Sequence, residues 1–550
     1  MLLETDGFAR WRRSRQSAEV TPPLSRLLGG PRRSPLWNDG APIQAELFSV
    51  ERLEEHARSL AAAQTVTPGE VKGASLAKRL ADNETVLLAA YRDIAEAVDA
   101  GAAITPAAEW LIDNFHVVEK QIREVRADLP PGYYRQLPKL AGGPLAGYPR
   151  VFGAAWAFVA HTDSHFDPEV LRRYLRAYQE VQPLTIGELW AVAITLRIVL
   201  VENLRRIAKR VVDSRAGRRT ANVVADRLLG AGGRVVEPTG AVLPPHEQTT
   251  FPDSFLMQLV HRLRDQDPSI APALEWLDDQ LAWQETTADA VVRDEHHKQV
   301  ANSVTVRNII TSMRLISDVD WTELFERVSL VDDVFKAGSA FEEMDFPTRN
   351  LYRNAVEHLA RGCELTELEV AHAAVETARR ALGAKADDGD GRLADPGYYL
   401  IAGGRSRFEA AIGFRPSPKA WPGRAFRALG IGGYVGAGAV VAAGLLAIPL
   451  SVVALSGVEW RWLLLLGILG LVPAIDVAVV LVNHVVTRGF RATLLPALEL
   501  RGGVLADLRT LVAVPTLLTS LKDIEELIGR LEIHYLASAQ GDLYFALLSD

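Results

Sequence analysis

The residues best placed to do chemistry are Pro515, Thr516 and Asp550, near the carboxyl end of a 550-residue chain. Asp542-Leu-Tyr-Phe-Ala-Leu-Leu-Ser-Asp550 reads as a buried strand with a carboxylate at its carboxyl end. Arg509-Thr-Leu-Val-Ala-Val-Pro-Thr-Leu-Leu-Thr519 is a similar run. Between them Leu521, Ile524, Leu527, Ile528 and Leu531 recur at helical spacing. Strand, helix, strand opens a parallel α/β sheet, whose ligands sit at the carboxyl ends of the strands. A carboxylate at that edge can accept from the N3–H of uracil or from ribose hydroxyls. The three residues therefore form a candidate nucleotide-binding set. Two parallel strands make no stable sheet alone, so this segment is expected to be the front of a larger domain and the chain the front of a longer protein.

Other reactive side chains carry less. His161-Thr-Asp-Ser-His165 spaces two histidines four apart, but Asp163, Ser164 and Phe166-Asp167-Pro168 signal a helix end or turn, with no third ligand nearby. His296 and His297 are adjacent, so they diverge on a helix and suit a hydrophilic face. No Ser-His-Asp order, phosphate-binding glycine loop or Gly-Asp-Ser motif stands in the soluble region. No catalytic residue and no metal site are assigned, and no cofactor is expected in this chain itself.

The elements that must position these residues begin with two apolar runs. Ile431 to Val458 holds no charge over roughly 28 residues, or about 42 Å of helix, more than the ~30 Å hydrocarbon core requires. Trp462 to Val486 carries one formal charge, Asp476. Gly457-Val-Glu-Trp-Arg461 permits only a tight hairpin, with Trp460 and Trp462 where an interfacial aromatic belt belongs. Two transmembrane helices are expected, with the lipid bilayer as partner. Arg405, Arg407, Arg415, Lys419, Arg424 and Arg427 precede the first, and Arg488 and Arg491 follow the second. The excess of basic residues places both termini in the cytoplasm. Asp476 near mid-span is either a polar contact along a path through a helix bundle or a protonated or helix-paired carboxylate.

From Leu47 to Ala381 the periodicity is helical. Thr105-Pro106 is expected to start a helix whose apolar stripe is Leu111, Phe115, Val118, Ile122 and Val125, ended by Pro130-Pro131-Gly132. Thr185 with Glu188, and Thr366 with Glu369, have capping-box spacing. Leu189 to Val201 is very apolar but short and interrupted by Arg197, which suits a buried core helix. Ala384-Lys-Ala-Asp-Asp-Gly-Asp-Gly391 reads as an acidic linker, not a calcium loop.

The fold class expected is mainly α. It comprises a basic disordered tail (1–40), a cytoplasmic helical domain (41–383), a linker and juxtamembrane segment (384–430), spans at 431–458 and 462–486, and the start of an α/β domain (487–550). A hydrophobic content of 48% supports more than one packed core. The net charge of −8 argues against a nucleic-acid partner. Cys363 is the single cysteine, so no internal disulfide forms and a reducing compartment is expected for the bulk of the chain.

The chain resembles the amino-terminal portion of the cyclic β-1,2-glucan synthases. The resemblance rests on Ala45-Glu-Leu-Phe-Ser-Val-Glu-Arg-Leu-Glu-Glu-His56, Trp110-Leu-Ile-Asp-Asn-Phe-His-Val-Val-Glu119, Pro130-Pro-Gly-Tyr-Tyr-Arg-Gln-Leu-Pro138 and Pro183-Leu-Thr-Ile-Gly-Glu-Leu-Trp190. It continues through Asn308-Ile-Ile-Thr-Ser-Met-Arg314, Met344-Asp-Phe-Pro-Thr-Arg349, Asp395-Pro-Gly-Tyr-Tyr399 and Val512-Ala-Val-Pro-Thr-Leu-Leu-Thr-Ser520. It implies a bacterial inner-membrane glucosyltransferase whose α/β part is the start of a GT-A type domain. It further implies UDP-glucose as donor, a growing glucan chain, and Mg or Mn for the full-length enzyme. The family's metal motif, catalytic base and phosphorylase-like domain would lie beyond Asp550, leaving this stretch inactive alone. The rival expectation is a membrane-tethered helical interaction module without catalysis.

Overall fold

The computed structural model describes residues 40–67, 75–128, 133–228, 251–264, 271–384, 391–418, 421–489, 494–500, 502–517, 520–538 and 541–549. The basic tail, Pro130-Pro131-Gly132, most of the acidic linker, Lys419, Arg491 and Asp550 lie outside the described residues. The chain divides into two compact units, Met1–Val328 and Ser329–Asp550.

The first unit is helical and organised on one long helix, Ile186–Leu228. Helix starts are closed by short polar side chains: Ser49, Ser75 and Thr287 accept from the N–H groups of Arg52, Lys78 and Ala290. Each such cap contributes about 1 kcal/mol. The capping box at the head of the long helix forms, with Glu188 N donating to Thr185 Oγ1 (3.2 Å) and Thr185 N to Glu188 Oε2 (3.0 Å). Leu196 and Ile198 to Val201 are buried, as a core helix requires, and Arg197 reaches Glu124 (3.3 Å) and Asp128 (3.6 Å). Packed on it are Leu76–Asp99, Phe115–Asp128, Arg150–His161, Asp253–Leu263 and Ala288–Asp318. A second apolar cluster wraps its far end, where Ala221 and Ala225 meet Phe255, Leu259, Leu277 and Leu281.

Two local expectations need correction. The helix that begins after Thr105 is two helices, Pro106–Asp113 and Phe115–Asp128. At Asn114 the backbone leaves helical geometry (φ −114°, ψ 15°), and its side-chain amide donates to Trp110 O at 2.9 Å. That bond competes with the helical ladder. The apolar stripe still runs through the break, with Leu111, Phe115, Val118, Ile122 and Val125 all buried. Thr105 holds the N-cap position, but its hydroxyl makes no capping bond.

The second unit opens with a small helical body built on Phe335, Phe341, Tyr352, Val356, Leu359, Leu400 and Phe408. Asp332 and Arg353 form a buried ion pair at 2.5 Å inside it. The capping box of Thr366 and Glu369 forms at the head of helix Glu367–Ala384. Then come two apolar helices, Trp421–Leu455 and Trp460–Gly489. The first breaks at Gly430, whose φ of 54° and ψ of −132° suit glycine alone. Both are long and apolar enough to cross a membrane. Their outer surfaces are bare: Ile431 is 83% exposed and Trp460 76%.

After these helices, residues 497–499 dock on the helical body. Glu499 N donates to Glu343 O (2.7 Å), Asp345 N to Ala497 O (3.0 Å) and Ala497 N to Thr348 Oγ1 (2.9 Å). Strands Thr510–Thr516 and Leu543–Ser549 then pair in parallel, joined by helix Leu521–Ser538. The strand–helix–strand unit expected from the sequence is present. The strand Leu543–Ser549 is not buried, however, and Leu548 is 62% exposed. A single helix covers one face of a two-stranded sheet and leaves the other open among the described residues.

The first unit depends on one buried carboxylate. Glu202, 1% exposed, takes hydrogen bonds from Arg79 (2.7 and 2.8 Å), Arg205 (2.8 Å) and Arg206 (2.9 Å). Burial alone would raise its pKa, but bonds and charge from these arginines outweigh it and bring the carboxyl down to about 2 from an ordinary 4.5. The stabilisation is present above the unfolded pKa and is lost as pH falls from 4.5 towards 2. Glu202→Ala strands three guanidiniums in the core and should cost about 3–5 kcal/mol in denaturant unfolding at neutral pH. A loss under about 1 kcal/mol would show that the network contributes little.

Candidate functional site

Parallel pairing sets Pro515 opposite Leu548 and Thr516 opposite Ser549. The two strands therefore finish level, and their carboxyl ends lie side by side. Pro515 tolerates this place because it removes one backbone donor at the end of the ladder rather than in its middle. Around the edge is an open cleft of about 640 Å³ lined by Pro515, Thr516, Leu517, Leu548 and Ser549. The Thr516 hydroxyl is buried and has no hydrogen-bond partner among the described residues. Asp550 follows Ser549 directly in sequence but lies outside the described residues.

The opposite end of the sheet is locked. Asp542 N donates to Val504 O (2.8 Å), Thr510 N to Asp542 O (3.0 Å), and Arg509 pairs with Asp542 at 3.2 Å. Gly541 sits at φ 78°, where a Cβ would lie 2.2 Å from Val504 O. The register is thus fixed from the end away from the cleft.

Asp476 lies on the second apolar helix, away from the first. The helices meet along Ala474, Ala478 and Val482, the buried stripe of the second. Gly470 is close enough to Leu446 that a Cβ would meet its methyl at 2.7 Å. Small residues here let the backbones approach. Tyr434 donates across the pair to Asn483 at 2.7 Å. Asp476 faces the outer side, exposed, with no partner among the described residues. It is not joined to the strand-end cleft by any described contact.

The histidine motif at His161 is a turn. Asp163 and Ser164 adopt left-handed geometry (φ 47° and 62°) just past helix Arg150–His161. Asp163 accepts from Thr305 Oγ1 (2.7 Å), Gln44 Nε2 (3.1 Å) and Asn308 Nδ2 (3.2 Å), a knot joining three distant segments. His161 instead stacks on Phe48 at 4.0 Å and stands 4.5 Å from His56. Burial, then the charge of His161, lowers the pKa of His56. His296 and His297 are exposed on helix Ala288–Asp318. Among the described residues no three His, Cys, Asp or Glu side chains converge to hold a metal ion.

Sequence reasoning missed the polar knot at Asp163 and the arginine cluster on Glu202. The Asp163 partners and Arg79 lie more than 100 residues away in sequence, while Arg205 and Arg206 stand three and four residues after Glu202; the charged residues in the apolar stretch after Ile198 were the available signal of a buried ion network.

No family model matches the chain. The chain is 37% identical over 516 residues to the cyclic beta-(1,2)-glucan synthase NdvB of Rhizobium meliloti (strain 1021). The match covers 94% of this chain and 18% of that protein, so the chain spans about a fifth of its relative. It is homologous to an amino-terminal portion of a cyclic β-(1,2)-glucan synthase.

Proposed function

We propose that the chain is the amino-terminal part of a bacterial inner-membrane glucosyltransferase that makes cyclic β-1,2-glucan from UDP-glucose. The identity running through 94% of the chain carries this reading. The apolar helices Trp421–Leu455 and Trp460–Gly489 span the bilayer as a hairpin. Their two ends are both tied to the helical body of the second unit, through Glu409–Arg424 (2.5 Å) on one side and Glu499–Glu343 on the other. A hairpin anchored in this way returns to the side it left, and the arginines flanking it favour the cytoplasm.

The strand–helix–strand unit is then the opening of a GT-A type domain. Pro515 and Thr516 then belong to its nucleotide edge, where they close the strand end facing the cleft, and Asp550 follows them in sequence as the candidate carboxylate for a uridine or ribose group. Mg or Mn belongs to the full-length transferase. Among the described residues no cluster of His, Cys, Asp or Glu fits such an ion. The first unit and the hairpin position the transferase at the membrane, and residues 1–550 alone form no glucan.

Three outcomes are expected. Replacing the matching portion of the Rhizobium meliloti synthase with this chain should restore cyclic glucan to cells lacking that enzyme. A chimera present at normal level in the membrane but making none would contradict the reading. The 550-residue chain in membranes should incorporate no label from radiolabelled UDP-glucose, and measurable glucan would overturn the statement that it is inactive alone. In a translocon insertion assay of residues 460–489, Asp476→Leu should favour insertion by about 3 kcal/mol. Unchanged insertion would put Asp476 outside the hydrocarbon.

A further inference from the structure

At the base of the apolar hairpin the second unit holds a groove of about 1230 Å³. It runs between the start of the first apolar helix, at Gly423, Arg424 and Arg427, and the last residue of the second, Gly489. Arg361, Arg405 and Arg415 complete a lining of five guanidiniums, and no lysine is among the described lining residues. Two carboxylates oppose these charges. Glu409, nearly buried, holds Arg405 (2.9 Å) and Arg424 (2.5 Å), and Glu357 pairs with Arg361 (2.5 Å). Arg415 has no acidic partner among the described residues. The sequence counted most of these arginines only as topology signals. The fold gathers them into one concavity.

The arrangement is held rigidly. Arg415 N donates to Gly362 O at 2.8 Å, and a Cβ on Gly362 would lie 2.2 Å from the Phe414 ring. Phe414 also packs against His358, at 5.3 Å between rings. Burial, then the nearby Arg405, lowers the pKa of His358. Guanidinium is weakly hydrated and offers paired donors that match phosphate oxygens, so a lining of five arginines favours phosphate over a simple counter-ion. Apolar surface continues directly from the groove: Trp421 is 68% exposed and Leu429 66%.

We propose that this groove binds the phosphodiester headgroup of an anionic phospholipid, whose acyl chains lie along the hairpin. The proposal rests on the membrane-spanning reading of the hairpin. Basic concavities at the cytoplasmic ends of membrane helices are suited to such headgroups, each arginine adding about 1 kcal/mol near an anionic surface.

The test uses the full chain reconstituted in phosphatidylcholine vesicles with and without phosphatidylglycerol. Lipid retained after detergent extraction is counted by native mass spectrometry. The wild type should retain phosphatidylglycerol over phosphatidylcholine. Arg361→Gln with Arg415→Gln, both exposed and outside the Glu409 cluster, should weaken that preference roughly tenfold to thirtyfold. The variant should still resist alkaline carbonate extraction and keep its melting curve. Equal retention of both lipids by the wild type, or an unchanged preference in the variant, overturns the proposal. So does displacement of the lipid by millimolar inorganic phosphate alone, which would make it a free-phosphate site. Release of the wild type by carbonate would instead overturn the membrane reading on which it rests.

Discussion

The constraint on which the second unit depends is the mismatch between the hairpin's backbone and its surface. Within each apolar helix most backbone hydrogen bonds are made internally, as a non-aqueous medium demands, the ladder being interrupted at Gly430 and Pro449 in the first and at Pro473 in the second. The side chains, by contrast, face outwards. Leu464, Ile468, Val472 and Val480 are exposed on one helix, and Val440, Ile448 and Val452 on the other. Each such side chain left in water forgoes about 1.5–3 kcal/mol of burial, a deficit that accumulates over dozens of residues. The proposed bilayer-spanning arrangement would remove that deficit. The narrow seam of Gly470, Ala474 and Ala478 lets the two helices pack closely.

Charge is handled differently on the two sides of this constraint. In the first unit, arginines enter the core only where a carboxylate fixes them, as Glu202 does for Arg79, Arg205 and Arg206 and Glu188 does for Arg150. At the hairpin base, five guanidiniums and two carboxylates among the described residues meet around open space, with Glu409 and Glu357 holding three of the arginines. In the hairpin itself a lone acid, Asp476, is turned outwards from the helix seam. A carboxylate on such a face is accommodated by protonation or by a polar neighbour. The chain leading to the strand-end cleft is pinned to the helical body of the second unit at residues 497–499.

Elements with a local signature were legible from the sequence. Both capping boxes form because their donors and acceptors are three residues apart. The apolar helices and the strand–helix–strand order follow from composition and spacing alone. The break at Asn114 was hidden because the apolar stripe continues across it and only a side-chain bond to Trp110 interrupts the ladder. The exposure of strand Leu543–Ser549 was misread, since an apolar run specifies that a strand prefers burial and not whether a neighbour covers it. At the candidate site, the side-by-side ends of the strands were anticipated. The unpaired Thr516 hydroxyl was not, because its lack of a partner is a property of packing.

The most direct measurement is of depth. With Cys363 replaced by serine, a nitroxide is attached at one introduced cysteine per variant, at Leu469 or Val472 on the outer face and at Ser456 at the tip. Collision with oxygen and with a polar nickel chelate is then read in reconstituted vesicles. A bilayer-spanning pair gives high oxygen and low nickel accessibility at Leu469 and Val472, with the order reversed at Ser456. Equal nickel accessibility at all three positions would mean that water surrounds these helices, and the account of the hairpin would fail.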